Sequence, residues 1–196
     1  MSPESWAAFA LASVLVLVIP GPTILLVVAQ SLAHGLRAAW ATILGVALGD
    51  LVAISLALVG LGSLLAASAS LFMAVKWGGA LYLLWMGVRM WRRHDTAQPL
   101  PPAPRHMFRD AFAVTVANPK SIGFFVAFLP QFMDDGRTWA PQAAAMAATF
   151  VGLAAVNALG YAVLASRLQG RLQLGGLRKT GGAVLVGAGL YTLVRK

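Results

Sequence analysis

Charged residues are sparse along the chain and divide it into six apolar stretches, at about 5–33, 38–62, 70–91, 111–133, 140–165 and 180–194. A helix needs about 20 apolar residues to cross a bilayer, so the pattern predicts an all-α integral membrane protein of six transmembrane helices. The first stretch carries no formal charge from Ser5 to Leu36, too long for one straight span. Pro20-Gly21-Pro22 stands in its middle. A proline removes a backbone donor and pushes the residue before it out of the helical region. Two half-helices are therefore expected, one ending near Ile19 and one starting near Thr23. Asn118-Pro119 marks a corresponding break in the fourth stretch.

The same features recur in order along the chain. The third span opens Lys76-Trp77-Gly78-Gly79-Ala80 and the sixth Lys179-Thr180-Gly181-Gly182-Ala183, an offset of 103. Gly45 precedes Asp50 by five residues in the second span, and Gly152 precedes Asn157 by five in the fifth, an offset of 107. The breaks at Pro22 and Pro119 are 97 apart. Residues 1–93 and 109–196 thus read as two three-helix repeats. Because three is odd, the second is inverted in the membrane. Residues 94–108, with Pro99, Pro101, Pro102 and Pro104, read as an extended linker between them.

Composition agrees with a membrane chain: 59% of residues are hydrophobic, 11% are charged and the mean hydropathy is +0.78. Soluble domains carry about 25% charged residues. With no cysteine, disulfide, thiolate and Fe–S chemistry are excluded. The net charge of +9 reads as a topology signal, with no nucleic-acid partner implied. Ten Lys and Arg residues fall on one side of the six spans: Arg37, then five from Arg89 to Arg109, then Arg167, Arg171, Arg178 and Lys179. Arg137, Arg195 and Lys196 fall on the other. The bias places the first side, and the linker with it, in the cytoplasm and both termini outside. The N-terminus lacks the basic leading segment of a cleavable signal.

Paired helix breaks in inverted repeats point to a transporter site at the membrane midplane. Each break frees N–H groups at the start of the following half-helix, where the dipole is positive. Those around Thr23-Ile24 and Lys120-Ser121 are placed to receive a carboxylate. Asp50 lies 13 residues past Arg37, about 20 Å at ~1.5 Å per residue, which is mid-bilayer. Lys120 is similarly deep, and such residues need partners. Either the two pair and hold the halves together, or Asp50 changes protonation and meets a substrate ammonium while Lys120 meets a carboxylate or acts as counter-ion. The candidate substrate-binding residues are Pro20, Gly21, Pro22, Thr23, Asn118, Pro119, Lys120, Ser121 and Asn157. Asp50 is the candidate proton-coupling residue.

Other features read as structural. Gly45-x-x-x-Gly49 and the glycine pairs 78–79 and 181–182 suit close helix packing, and Trp85, Trp91 and Trp139 suit the interfacial aromatic belt. His34, His94 and His106 have no Glu or Cys at metal spacing, so no metal is expected. No cofactor, nucleotide or hydrolase motif is present, and an enzyme is not expected.

Several of these motifs together resemble the LysE/RhtB family of amino-acid exporters. They are Pro20-Gly21-Pro22, Gly45-x-x-x-Gly49-Asp50, Lys76-Trp-Gly-Gly-Ala-Leu-Tyr82-Leu, and Asn118-Pro119-Lys120 with the Phe-rich run to Leu129-Pro130-Gln131-Phe132. Thr23 departs from the Asn or Asp that many relatives carry after the second proline. The resemblance implies six hydrophobic segments and efflux of amino acids or close derivatives across the bacterial inner membrane, driven by protons. Its implied partners are an amino-acid substrate, protons and the lipid bilayer; the oligomeric state, a homo-oligomer included, stays open. A small-ion channel or transporter, or a non-transporting structural subunit, are the alternatives.

Overall fold

The computed structural model of the chain describes residues 1–67, 104–134 and 136–168, with Leu81, Leu84, Trp85, Val88, Val186 and Leu190 as isolated helical positions. The motifs at 76–80 and 179–183, Trp91, and linker residues 94–103 lie outside the described residues. Every regular element among those described is helical.

Helix α1, Pro3–Val18, starts where the Ser2 side chain accepts a hydrogen bond from Ser5 N and Pro3 occupies the first turn. It ends because Ile19 precedes Pro20 and is extended (φ −68°, ψ 114°). Helix α2, Pro22–Ala67, is two limbs joined at Gly35, whose backbone (φ 76°, ψ 176°) interrupts the helix. That left-handed φ is accessible to glycine without a Cβ penalty. The limbs, 22–34 and 36–67, pack on each other: Ile24, Leu26 and Val27 meet Ala39, Ile43 and Val46, and the Thr42 hydroxyl donates to Gln30 Oε1. The polar gap between the first two apolar stretches is thus a turn of essentially one residue.

Helix α3, Pro104–Val116, stops before Asn118-Pro119, and helix α4, Pro119–Phe132, starts there. The first residues of α3 belong to the segment expected to be an extended linker. Pro104 instead opens a helix, since a proline at the first helical position costs no hydrogen bond. Helix α5, Trp139–Arg167, is 29 residues long, or about 44 Å at ~1.5 Å per residue. It is more than enough to cross a hydrocarbon core of about 30 Å. Among the described residues, the helical run Pro22–Gly60, which contains the turn at Gly35, and the helix Trp139–Arg167 are the two long and apolar enough, by length and composition, to cross a membrane.

Burial follows helical spacing. Helix α5 buries Ala143, Met146, Phe150, Ala154, Ala158, Ala162 and Ala165, a stripe of mostly small side chains. Its other face leaves Val156 and Leu164 exposed. Large apolar side chains outside and alanines inside are what a helix needs when lipid is its solvent. The core forms two clusters. One joins both limbs of α2 at residues 24–46 to Ala111 and Val114 of α3 and Ala158 and Ala162 of α5. The other joins Phe9 and Leu17 of α1, Ala53, Ile54 and Leu58 of α2, Phe124, Phe125 and Leu129 of α4, and α5 from Ala143 to Ala154. The Phe-rich run supplies this second cluster with ring contacts, Phe125 meeting Phe150 edge to face at 4.7 Å and Phe9 meeting Phe132 at 5.6 Å.

Gly45 and Gly49 set the spacing of α2 and α3. A Cβ on Gly45 would lie 2.4 Å from the Phe108 carbonyl oxygen, and one on Gly49 would lie 2.8 Å from Thr115 Cβ. The packing role read from their spacing holds. Asp50 follows Gly49 directly, so its backbone is held where α2 closely approaches α3.

Candidate functional site

The two breaks meet. Asn118 caps α4, its Oδ1 accepting from Lys120 N at 3.1 Å, while its Nδ2 donates to Thr23 Oγ1 at 3.1 Å. Thr115 Oγ1 donates to the same Thr23 oxygen at 3.4 Å. Thr23, Thr115 and Asn118 are all buried. One small polar cluster therefore ties the start of α2 to the end of α3 and the start of α4. The N–H groups of Thr23, Ile24 and Ser121 lie in first turns, where no acceptor exists within the helix. Of the expected carboxylate-receiving groups, the Lys120 N–H is already taken by the Asn118 cap.

The other side of the first break is an accounting problem in carbonyls. In a continuous helix, Val16 and Val18 would accept from the N–H groups of residues 20 and 22, but both are prolines. Leu17 and Ile19 lose their acceptor roles because the chain turns away. Three side chains from later in the sequence supply the donors. Lys120 Nζ donates to Val16 O at 3.0 Å and to Ile19 O at 2.6 Å. Asn157 Nδ2 donates to Leu17 O at 3.0 Å, and Tyr161 Oη to Val18 O at 2.8 Å. All four terminal carbonyls of α1 are satisfied from α4 and α5.

A small cavity opens at this junction, lined by Gly21, Thr23, Asp50, Asn118, Lys120, Ser121 and Asn157. Leu17, Ile24, Val46 and Ala154 complete its wall. Asp50 is 3% exposed, so its carboxyl belongs to the interior. Seven of the ten residues expected at the site line one cavity; Pro20, Pro22 and Pro119 do not, and act by shaping the backbone. Asp50 and Lys120 share the cavity, but among the described residues no ion pair joins them; the ammonium is placed on the carbonyls of α1. The four apolar wall residues and Tyr161 escaped sequence reasoning. Tyr161 was findable: it lies four residues after Asn157, on the same helix face.

Half-helix ends and buried ionisable side chains around a cavity inside an apolar helical bundle are the construction of a membrane transporter. The chain belongs to the family of LysE type translocators, whose family model matches residues 14–196. It is a transporter and not an enzyme. A homoserine/homoserine lactone efflux protein of Salmonella typhimurium is 36% identical over 96% of both chains. An uncharacterized membrane protein of Vibrio cholerae is 32% identical over the full length of both. A leucine efflux protein of Klebsiella pneumoniae is 29% identical over 66% of this chain and 64% of its own. No solved structure matches the chain.

Proposed function

We propose that this protein exports small amino acids with uncharged side chains, or close derivatives, across the bacterial inner membrane in exchange for protons. The observation that carries the reading is the convergence of both helix breaks and Asp50 on one cavity. A zwitterion fits that chemistry: its ammonium faces the Asp50 carboxylate, and its carboxylate faces the first-turn N–H groups of Thr23, Ile24 and Ser121. Leu17, Ile24, Val46 and Ala154 offer a short apolar wall to the side chain. A wall this short suits the side chains of compounds such as homoserine or leucine. Efflux of those two compounds is what the named relatives carry out.

The transport cycle follows from the acid. Open to the periplasm, Asp50 takes a proton and loses its hold on the ammonium, so substrate leaves. Open to the cytoplasm, it gives up the proton and binds the next zwitterion. One proton moved inward across 100 mV supplies about 2.3 kcal/mol, enough for roughly 40-fold accumulation outside. The two core clusters support an inverted-repeat reading of the six spans. Exchanging α1 with α3, residues 22–34 with α4 and the second span with the fifth converts one cluster's element list into the other's. Such a pair gives alternating access by rocking about the cavity. The basic bias of the loops places both termini in the periplasm.

The test is efflux of a panel of labelled amino acids from cells with and without the protein, repeated with Asp50→Asn. Export of homoserine- or leucine-sized substrates that is lost or becomes pH-insensitive in the variant supports the reading. Export of inorganic ions with no amino acid moved would support the channel alternative instead.

A further inference from the structure

The end of α1 carries a density of negative dipole that the helix does nothing to offset. Four successive carbonyls, 16–19, end there, and the last turn of α1 has no basic residue. In transporters with broken helices, such a carbonyl cluster is where an inorganic coupling cation binds. Here a cation is already present on a covalent tether. The Lys120 ammonium lies 3.0 Å from Val16 O and 2.6 Å from Ile19 O, at the C-terminal end of α1, while its backbone begins α4. Asn157 and Tyr161 take the two carbonyls between. Gly21 leaves the approach open, since a Cβ there would lie 3.3 Å from both Lys120 Cε and Nζ.

We infer that Lys120 is a built-in substitute for a coupling cation: its ammonium holds the carbonyls of the first break in place, so transport requires no sodium or potassium. Lys120 is then a positioning residue that fixes the break from the opposite half of the molecule, and the substrate carboxylate is left to the helix N-termini. The inference rests on the transport reading only in its second arm.

The first arm uses purified protein and no substrate. Thermal unfolding is followed for the wild type, Lys120→Arg, Lys120→Met and Lys120→Ala, in methylammonium chloride or choline chloride at equal ionic strength. The expected result is that Lys120→Arg unfolds near the wild type, Lys120→Met and Lys120→Ala unfold lower, and methylammonium restores Lys120→Ala where choline does not. A structural lysine acting only through its aliphatic stem would leave Lys120→Met unchanged, and that result overturns the inference. So does equal behaviour of Lys120→Ala in the two salts. The second arm needs no variant: wild-type efflux of the amino acid found in the panel is measured with choline replacing all sodium and potassium. Unchanged efflux supports the inference and loss of efflux overturns it. A panel in which no amino acid moves removes the proposed substrate class and leaves the unfolding result standing.

Discussion

Substituting Gly45 by alanine tests the geometry that positions the Asp50 backbone. The added methyl would lie 2.4 Å from the Phe108 carbonyl oxygen, 3.0 Å from Ala111 Cβ and 3.1 Å from Phe112 N. Ordinary contact begins near 3.4 Å, so α2 and α3 must part by about 1 Å at this point. The obstacle is backbone and cannot rotate away, so the upper part of the overpacking range applies, about 3 kcal/mol. Better helix propensity returns about 1 kcal/mol, leaving a net loss of about 2 kcal/mol, or roughly 30-fold in the folded ratio. Gly152, the counterpart of Gly45 at the 107-residue offset, meets nothing within 4 Å among the described residues. Gly152→Ala should therefore gain about 1 kcal/mol from propensity alone. Unfolding of the purified protein by denaturant in mixed micelles, with efflux measured in parallel, separates the two. The expected order is Gly152→Ala, wild type, Gly45→Ala, with efflux reduced in the last. Equal stability of the two variants would refute the close approach, and with it the account of how Asp50 is positioned.

Asp50→Asn should insert and fold while efflux loses its dependence on external pH; proton-coupled export persisting in that variant removes Asp50 from the coupling step. Replacing both Pro20 and Pro22 by Ala gives back the N–H groups that Val16 O and Val18 O would accept and frees Ile19 to be helical, so helix can extend through the break and the KM for exported substrate should rise severalfold; an unchanged KM would make the break a simple kink. Asn157→Leu leaves Leu17 O without its donor and should cost about 1–3 kcal/mol of stability, with Asn157→Asp worse because it turns a lone pair toward the carbonyl. Gln142 is buried and bonds to Asp134 N and O, Arg137 O and Thr138 O in the connection between α4 and α5. Gln142→Leu should therefore destabilise by a few kcal/mol and make that connection susceptible to added protease.

How far the sequence could be read depended on how local the physics was. Proline chemistry is local, and the breaks at Pro20-Gly21-Pro22 and Asn118-Pro119 fall within a residue or two of where the prolines put them. Gly45 and Gly49 announced close packing by spacing, though not that α3 was the partner. The turn at Gly35 was visible as a polar gap but not as a single-residue reversal, because that depends on one glycine's φ. Lys120 is the instructive case. Two ionisable residues at one depth suggest each other as partners, since side-chain charges are what a sequence displays. Backbone carbonyls are the same in every residue and display nothing, yet they took the ammonium.

The carbonyls were nevertheless countable in advance. Prolines at 20 and 22 dictate that Val16 O and Val18 O lose their helical donors, and a buried carbonyl is not left unpaired in hydrocarbon. Donors must then come from another span at the same depth, and the second half of the chain offers few: Lys120, Asn157 and Tyr161. They are the three the structure uses. The consequence reaches function. A break held open by donors from α4 and α5 can persist only while those helices stay beside α1. The cavity and the contact between the two halves are therefore one feature, and any motion that carries α4 and α5 away from α1 must either take the end of α1 with it or replace all three donors at once. Rocking that moves α1, α4 and α5 together satisfies this condition; sliding of α1 past the other two does not.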